Sequence, residues 1–185
     1  GGVAALVERD EKFGKSYFSL NSDGSRADLI MIKGGGYRHP SSEETLREKV
    51  VDEYGNIRSD EQGYMQGGDV FNFVIREIPR DIKKTLEYAG DTADSFDYIV
   101  FHQANNFINA YIAKKMKLDT DKIPSTIAKY GNTSSVSVPL TIVSELKDRL
   151  YGNKKLLLSA FGVGMTWATG IVPFVDCKIS DIVEV

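Results

Sequence analysis

The stretch DYIVFHQANN, residues 97–106, is an apolar run of strand length that ends abruptly in polar side chains. His102 stands at the junction, and it is one of only two histidines in the chain. A histidine ring N–H and an asparagine amide are both hydrogen-bond donors, and two donors aimed at one oxygen form an oxyanion hole. A lone histidine at a strand end is structural more often than catalytic, so this stretch alone does not decide the chemistry.

Two further clusters of polar or glycine residues follow predicted strands. They are GNTSS, residues 131–135, and FGVGMT, residues 161–166. Taken singly, the first is a common way to turn and cap a helix, and the second is a common hairpin turn. In an open α/β sheet, ligands gather beyond the carboxyl ends of the strands. The three clusters are therefore expected to converge on one site, which has oxyanion donors but no nucleophile.

The other reactive residue types supply neither the missing nucleophile nor a metal site. Cys177, the only cysteine, follows an apolar strand near the C-terminus, where an inert thiol is the simpler interpretation. His39 lies in a polar segment that is typical of a solvated loop. With one cysteine and two widely separated histidines, no metal-ligand spacing occurs, and we predict neither a metal nor another cofactor.

The overall composition is that of an ordinary globular domain. The chain has 185 residues, 42% of them hydrophobic, and a formal net charge of −3. This acidic balance argues against nucleic-acid binding, which needs a basic surface to neutralise phosphates. No apolar run approaches the ~20 residues of a membrane-spanning helix. A single cysteine excludes an intrachain disulfide, and no signal peptide is visible, so we expect a cytoplasmic protein.

Three helices are expected to position the polar clusters. An apolar residue recurs every four positions from Val70 to Leu86, which predicts an amphipathic helix that is kinked or restarted at Pro79. Further helices are predicted over residues 105–116 and from the hydroxyl residues 133–135, one of which would be the N-cap, to about residue 150.

The predicted strands alternate with these helices. They are Tyr17 to Leu20, Tyr98 to Phe101, Ile123 to Ala128, and the segments KKLLLSAFG and MTWATGIVPFV. The order β-α-β-α-β-α-β-β predicts an α/β domain with a mixed, mostly parallel five-stranded sheet and helices on both of its faces. Because a short turn joins the last two strands, they must be antiparallel.

Two segments fall outside this unit. Val3 to Glu8 reads as a strand without a partner, so residues 1–10 are assigned to a preceding domain and residues 11–185 to the domain itself. Residues 34–66 are polar, charged and interrupted by glycines, which indicates a long excursion with at most one helical turn. Long loops of this kind in compact domains are usually functional or mobile.

Three motifs together resemble the C-terminal half of β-ketoacyl-acyl carrier protein synthase III, a condensing enzyme of the thiolase superfamily. They are HQANNFINAYIAKKM, YGNTSSVSVPL and SAFGVGMTWATGIV, and they occur in order with matching spacing. MQGGDVFNFVI and LNSDGSRADLIMI are similar to upstream parts of the family, so the resemblance spans essentially the whole chain. It implies a thiolase-like fold of two similar halves, with Val3 to Glu8 as the last strand of the missing first half.

The resemblance implies a Cys-His-Asn triad whose cysteine lies in the first half and carries the acyl group as a thioester. His102 and Asn132 would bind the thioester oxygen of malonyl-acyl carrier protein and stabilise the enolate that forms as CO2 leaves. Phe161 would pack beside the cysteine, and the backbone N–H of Val163 would contribute to the hole for the tetrahedral oxyanion. Val163 departs from the glycine that the family has in this turn.

The resemblance also implies binding surfaces for the substrates. Gly67, Phe71 and Asn105 match positions that line the pantetheine and coenzyme A channel. Lys114 and Lys115 match a basic patch that meets the acidic acyl carrier protein, although a solvated helix end explains this pair about as well.

The parent enzyme is expected to condense malonyl-acyl carrier protein with an acyl thioester such as acyl-coenzyme A at the start of fatty-acid synthesis, and to be a homodimer. The 185-residue chain alone is expected to be inactive in condensation, because Cys177 is not at the position of the nucleophile. Phe107 stands where the family often has an arginine, which weakens the electrostatic case for carrier docking. Two alternatives remain open: a non-catalytic subunit that binds acyl thioesters or the carrier protein, and a specialised polyketide-type starter-condensing enzyme.

Overall fold

A computed structural model of the chain describes residues 1–9, 11 and 13–184. The residues group into two units. The sheet unit comprises Gly1–Asn21, Val74–Phe161 and Trp167–Val185, and the excursion unit comprises Ser22–Phe73 and Gly162–Thr166. Asp10, which ends the segment assigned to a preceding domain, and Val185 lie outside the described residues.

The secondary structure alternates in the predicted way. The strands are β1 (Tyr17–Ser22), β2 (Ile30–Met31), β3 (Lys49–Val50), β4 (Ile57–Arg58), β5 (Tyr64–Met65), β6 (Tyr98–Phe101), β7 (Asn153–Gly162) and β8 (Thr166–Val175). The α-helices are α1 (Glu43–Leu46), α2 (Gly67–Ala89), α3 (Asn106–Met116), α4 (Ile127–Tyr130) and α5 (Ser137–Thr141). Short 3-10 segments lie at Gly24–Leu29, Ala93–Ser95, Thr120–Lys122, Ser134–Val136 and Lys147–Arg149, and a π-helical turn at Ile142–Leu146.

The main sheet has the strand order β1-β8-β7-β6. Strands β6 and β7 are parallel, with Tyr98 opposite Leu156 and Phe101 opposite Ser159. Strands β7 and β8 are neighbours joined by three residues, a connection that can only reverse the chain, so this pair is antiparallel. The predicted mixed α/β sheet is therefore present, with four strands in place of five.

The missing fifth strand is the one predicted at Ile123 to Ala128, and that prediction is wrong. Pro124 has no N–H to give to a ladder. The N–H of Thr126 donates instead to the side-chain Oε1 of buried Gln103, at 2.9 Å. From residue 127 the chain turns into the four-residue helix α4. A side chain has therefore taken the hydrogen bond that a neighbouring strand would have made.

Helix α2 confirms the periodicity read from the sequence. The apolar side chains at every fourth position are buried: Val70, Val74, Ile78, Ile82 and Leu86. The helix runs through Pro79 without ending, because the proline removes one intrahelical hydrogen bond and not the packing of the apolar face. The third predicted helix is present as an irregular helical segment over residues 134–149, where 3-10, α and π turns succeed one another.

The start of β6 is held by polar contacts and its body by the core. Asp97 accepts the Lys155 N–H at 2.8 Å and the Lys154 ammonium at 3.2 Å. Burial acts to raise the pKa of Asp97, but these hydrogen bonds outweigh it and the pKa lies below its ordinary value. Beyond Asp97, the strand enters a buried cluster that includes Val100 and Leu156.

The excursion unit contains more order than its polar sequence predicts. Strands β2 and β5 pair antiparallel, as do β3 and β4. The single predicted helical turn is α1, whose start is a capping box: the Thr45 N–H donates to Ser42 Oγ and the Ser42 N–H donates to Thr45 Oγ1. This unit begins before residue 34, since it includes Ser22–Phe73.

Residues 1–9 form no strand, and their side chains are exposed. A strand needs a partner for its backbone N–H and C=O groups, and this segment has none among the described residues of the chain. The assignment of Val3 to Glu8 to a preceding half stays a prediction. Among the helices of the described residues, none is long and apolar enough to cross a membrane.

A buried carboxylate ties three elements of the sheet unit together. Asp81 on α2 is 4% exposed. Its Oδ1 accepts the Ser19 hydroxyl at 2.5 Å and the Asn21 amide at 2.8 Å, both from β1. Its Oδ2 accepts the Thr169 hydroxyl of β8 at 2.6 Å. A buried carboxylate is tolerated when its lone pairs are used in this way.

Replacement of Asp81 by alanine should lower the free energy of unfolding by about 2–3 kcal/mol, because Ser19, Asn21 and Thr169 lose a charged acceptor inside the protein. Chemical denaturation of the chain and the variant measures the difference. Glu87→Ala, an exposed position on the same helix, is the matched control and should change stability little. Equal stability of the two variants would contradict the role of the network.

Candidate functional site

His102 is the first residue beyond β6, and both of its backbone groups are held. Its N–H donates to the Ser159 carbonyl at 2.8 Å and extends the pairing with β7 by one residue. Its carbonyl accepts the side-chain amide of Asn109 on α3 at 3.2 Å. The polar cluster therefore starts at a backbone position fixed by a strand on one side and a helix on the other.

The His102 ring is half-buried between two named side chains. Its Nδ1 lies 2.6 Å from the Ser137 hydroxyl on α5. The Phe161 ring of β7 meets it edge to face, with the ring centroids 5.1 Å apart and the planes at 89°. Burial lowers the pKa of His102, because removal from water disfavours the charged imidazolium. The ring is consequently neutral at pH 7 and can donate one hydrogen bond.

Asn132 lies in the loop between α4 and the irregular helical segment, and it is exposed. Its Oδ1 accepts the N–H of Ser134 at 2.9 Å. The predicted cap by Thr133, Ser134 or Ser135 is corrected: Thr133 makes no side-chain cap, and the asparagine ties down the first N–H instead. With the oxygen occupied, the Asn132 NH2 group supplies the donors of this side chain.

His102 and Asn132 are both attached to the start of the same helical segment. Asn132 binds Ser134, and His102 contacts Ser137, three residues further on. Residues three apart lie about one turn apart on a helix. The two side chains that the sequence separates by thirty positions are therefore anchored one turn apart, within the sheet unit.

The other polar residues of the stretch hold the scaffold. Gln103 is fully buried: its Nε2 donates to the Phe101 carbonyl, and its Oε1 accepts the Thr126 N–H and the Ser125 hydroxyl. Asn105, predicted to line the pantetheine channel, is the N-cap of α3 and accepts the Ile108 N–H at 2.8 Å. As at Asn132, the occupied oxygen leaves the amide NH2 as the donor group.

The two lysines predicted to dock a carrier protein differ in their contacts. Both are exposed near the C-terminal end of α3. Lys115 donates from Nζ to the backbone carbonyl of Ile75 on α2, at 2.7 Å. In a regular helix that carbonyl would accept the N–H of residue 79, but Pro79 has none. Lys115 thus supplies the hydrogen bond that the proline removes.

The remaining predicted site residues belong to the excursion unit. Gly67 is the first residue of α2, and Phe71 is half-buried one turn later. Val163 lies in the exposed turn between β7 and β8, where its carbonyl accepts the Thr166 hydroxyl at 2.9 Å. Val163 is not among the residues with positive φ, whereas Gly164 has φ 133°. A valine is therefore accommodated at 163 without left-handed strain.

Neither a nucleophile nor a metal centre accompanies these groups. Cys177 is exposed and follows the end of β8. Among residues 1–9, 11 and 13–184, no group of three or more His, Cys, Asp or Glu side chains is placed to hold a metal ion. The arrangement can donate hydrogen bonds to an oxygen that gains negative charge, and it needs a reacting group from elsewhere.

Sequence reasoning missed the two residues that hold His102 most directly, Ser137 and Asn109. Asn109 faces the buried side of α3, where a polar residue in an apolar pattern was a signal. Ser137 was hidden among the neighbouring hydroxyl residues of TSSVS, and only the fold distinguishes it from them.

Known proteins match this chain over most of its length. Residues 86–174 match the family described as 3-oxoacyl-[acyl-carrier-protein (ACP)] synthase III C terminal. A β-ketoacyl-[acyl-carrier-protein] synthase III of Streptococcus pneumoniae (strain Hungary19A-6) is 34% identical over 176 residues, which are 93% of this chain and 50% of the relative. The chain therefore spans about half the length of the curated relatives it matches.

Solved structures share the fold. A crystal structure of a 3-oxoacyl-(acyl-carrier-protein) synthase III has a TM-score of 0.82 at 34% identity, covering 93% of this chain and 50% of that one. The 3-oxoacyl-(acyl-carrier protein) synthase from Burkholderia xenovorans LB400 has a TM-score of 0.77 at 36% identity, covering 90% and 46%. The thiolase-like α/β fold and the resemblance to a C-terminal half are confirmed.

The lowered pKa of His102 gives a pH dependence of stability. Between that value and the ordinary value of about 6.5, the unfolded chain binds more protons than the folded chain, so stability should fall as the pH drops through about 6.5. Unfolding of the chain and of His102→Gln, compared at several pH values, measures this contribution. His39→Gln is the control and should keep the original slope, whereas an unchanged slope in His102→Gln would contradict the prediction.

The contact between Lys115 and Ile75 predicts coupling with Pro79. Lys115→Ala should cost about 1 kcal/mol of stability, because it leaves the Ile75 carbonyl without a donor. In a Pro79→Ala background the new N–H at residue 79 can take over, so the same substitution should cost less. A double-mutant cycle of thermal or chemical unfolding measures the coupling, with Lys114→Ala as the matched control. Independent effects of the two substitutions would show that the lysine does not replace the lost helical bond.

Proposed function

We propose that this chain, which belongs to the 3-oxoacyl-[acyl-carrier-protein] synthase III family and matches its C-terminal half, supplies one wall of the active site of a condensing enzyme. The reaction would be the decarboxylative condensation of malonyl-acyl carrier protein with an acyl thioester at the start of fatty-acid synthesis. The observation that carries the proposal is the neutral, half-buried His102 at the end of β6, anchored with Asn132 on one helix start.

In the proposed reaction the two donors act on the malonyl thioester. As the bond to the carboxylate breaks and CO2 leaves, its electron pair moves onto the thioester carbonyl and forms an enolate. A neutral His102 N–H and the Asn132 amide would donate to the enolate oxygen, which holds more charge than the carbonyl did in the ground state. Interactions that strengthen in this way lower the barrier.

The second step would use groups from the preceding half. The enolate carbon would attack an acyl group carried by a cysteine there, form the new carbon–carbon bond and release the thiolate. The Val163 N–H would stabilise the tetrahedral oxyanion, and Phe161 would keep the site apolar, which favours loss of CO2. The edge-to-face contact of Phe161 with His102 supports its assignment to the site.

Substrate and partner binding is proposed on the matching positions. Gly67, Phe71 and the free amide of Asn105 would line the channel for the pantetheine arm of acyl-coenzyme A or the carrier protein. Lys114 would meet the acidic carrier protein. Lys115 is already engaged with the Ile75 carbonyl, so it is the weaker candidate of the pair.

The chain would need its first half to condense anything, since Cys177 is exposed beyond β8. The full-length form would be a cytoplasmic homodimer, and no cofactor is needed by the proposed chemistry, in which acyl-coenzyme A and malonyl-acyl carrier protein are substrates.

Decarboxylation of malonyl-acyl carrier protein by the full-length protein tests the proposal. His102→Ala should slow CO2 release roughly 100- to 1,000-fold, because one of the enolate donors is lost. His39→Ala, at the other histidine of this chain, is the matched control and should release CO2 at the original rate. Equally fast decarboxylation by the His102→Ala protein would overturn the assigned role.

Mass spectrometry of the full-length protein after incubation with acyl-coenzyme A separates the enzyme from a binding subunit. The proposal expects a covalent acyl adduct on a cysteine outside this chain's residues. Binding without an adduct would favour the non-catalytic alternative.

A further inference from the structure

The Ser137 hydroxyl is shared by two neighbouring residues of the polar stretch. Its Oγ lies 2.6 Å from His102 Nδ1, and it accepts the backbone N–H of Gln103 at 3.3 Å. Ser137 is 1% exposed, so bulk water does not compete for these contacts. Its backbone carbonyl has a separate partner, the Thr141 hydroxyl at 2.8 Å.

The direction of the hydrogen bond to His102 follows from the number of protons available. A backbone N–H can only donate, so Ser137 Oγ must be the acceptor of the Gln103 bond. The hydroxyl has one proton, and His102 Nδ1 is the acceptor within reach. If Nδ1 were protonated, the oxygen would accept twice and its own proton would be left buried without an acceptor, which is unfavourable.

We propose that Ser137 is a positioning residue that fixes the tautomer of His102: its hydroxyl donates to Nδ1, so that the single proton of the neutral ring lies on Nε2. The ring orientation is set independently by the backbone contacts with Ser159 and Asn109 and by the Phe161 ring. Orientation alone does not decide which nitrogen has the proton, and Ser137 makes that choice.

The tautomer decides whether the site stabilises or repels negative charge. With the proton on Nε2, the nitrogen opposite Ser137 is a hydrogen-bond donor. With the proton on Nδ1, Nε2 would present a lone pair to the same place. This consequence rests on the proposed function, in which His102 donates to an enolate oxygen. The tautomer itself does not depend on it, and it is measurable without substrate.

Nitrogen-15 NMR of the chain, labelled at histidine, tests the proposal at a pH near 7.5 to 8. The His102 resonances are assigned by their loss in His102→Gln, and His39 serves as an internal reference. We expect a protonated, pyrrole-type Nε2 and an unprotonated Nδ1 whose shift shows an accepted hydrogen bond, with the other tautomer at about one-tenth or less. A protonated Nδ1, or averaged shifts for both nitrogens, would overturn the proposal.

Two variants separate positioning from folding. Ser137→Ala should move the Nδ1 resonance toward the value of a nitrogen without a hydrogen bond, and Ser137→Thr, which keeps the hydroxyl, should restore it. Ser135→Ala, an exposed serine in the same motif, is the matched control and should leave both nitrogens unchanged. An unaltered Nδ1 resonance in a folded Ser137→Ala protein would contradict the assignment. If that variant does not fold, the spectrum of the unsubstituted chain alone decides. A normal tautomer together with undiminished decarboxylation by His102→Ala would refute the proposed function and leave this inference standing.

Discussion

The hydrogen bond from the His102 N–H to the Ser159 carbonyl is the last contact of the parallel β6–β7 pairing, and the site depends on it. One residue later the Gln103 N–H turns to the Ser137 hydroxyl instead of the neighbouring strand. The chain therefore leaves the sheet between two adjacent residues. Because both bonds are short and their partners are buried, the point at which chemistry can begin is set by the sheet's own hydrogen bonding.

The polar stretch after β6 divides its work between scaffold and chemistry. Gln103 and Asn105 use their oxygens to hold the Thr126 loop and the start of α3. Only His102 presents a ring whose hydrogen bonding is incomplete within the sheet unit, with Nδ1 engaged and Nε2 on its other side. A cluster of polar residues at the mouth of a buried strand is thus mostly structural, and that structure makes one member of it functional.

The same substitution of side chains for backbone partners recurs elsewhere and explains which predictions failed. Periodicity predicted α2 correctly, because a regular apolar stripe needs only a core to cover it. The strand predicted at Ile123 to Ala128 failed because Gln103, distant in sequence, occupies the Thr126 N–H. Lys115 looked like a docking residue by its position, yet it donates to the Ile75 carbonyl that a proline on another helix leaves open.

By itself the sequence determined the α/β class, the long amphipathic helix, the resemblance to a C-terminal half of a condensing enzyme and the pair His102 and Asn132. These follow from local patterns and from motifs whose residues are adjacent. Only the tertiary structure decided that Ser137 holds the histidine ring and that Asn132 caps the helix on which that serine lies. Hydrogen bonds between side chains far apart in sequence have no periodicity, so they become visible only when the fold brings donor and acceptor within about 3 Å.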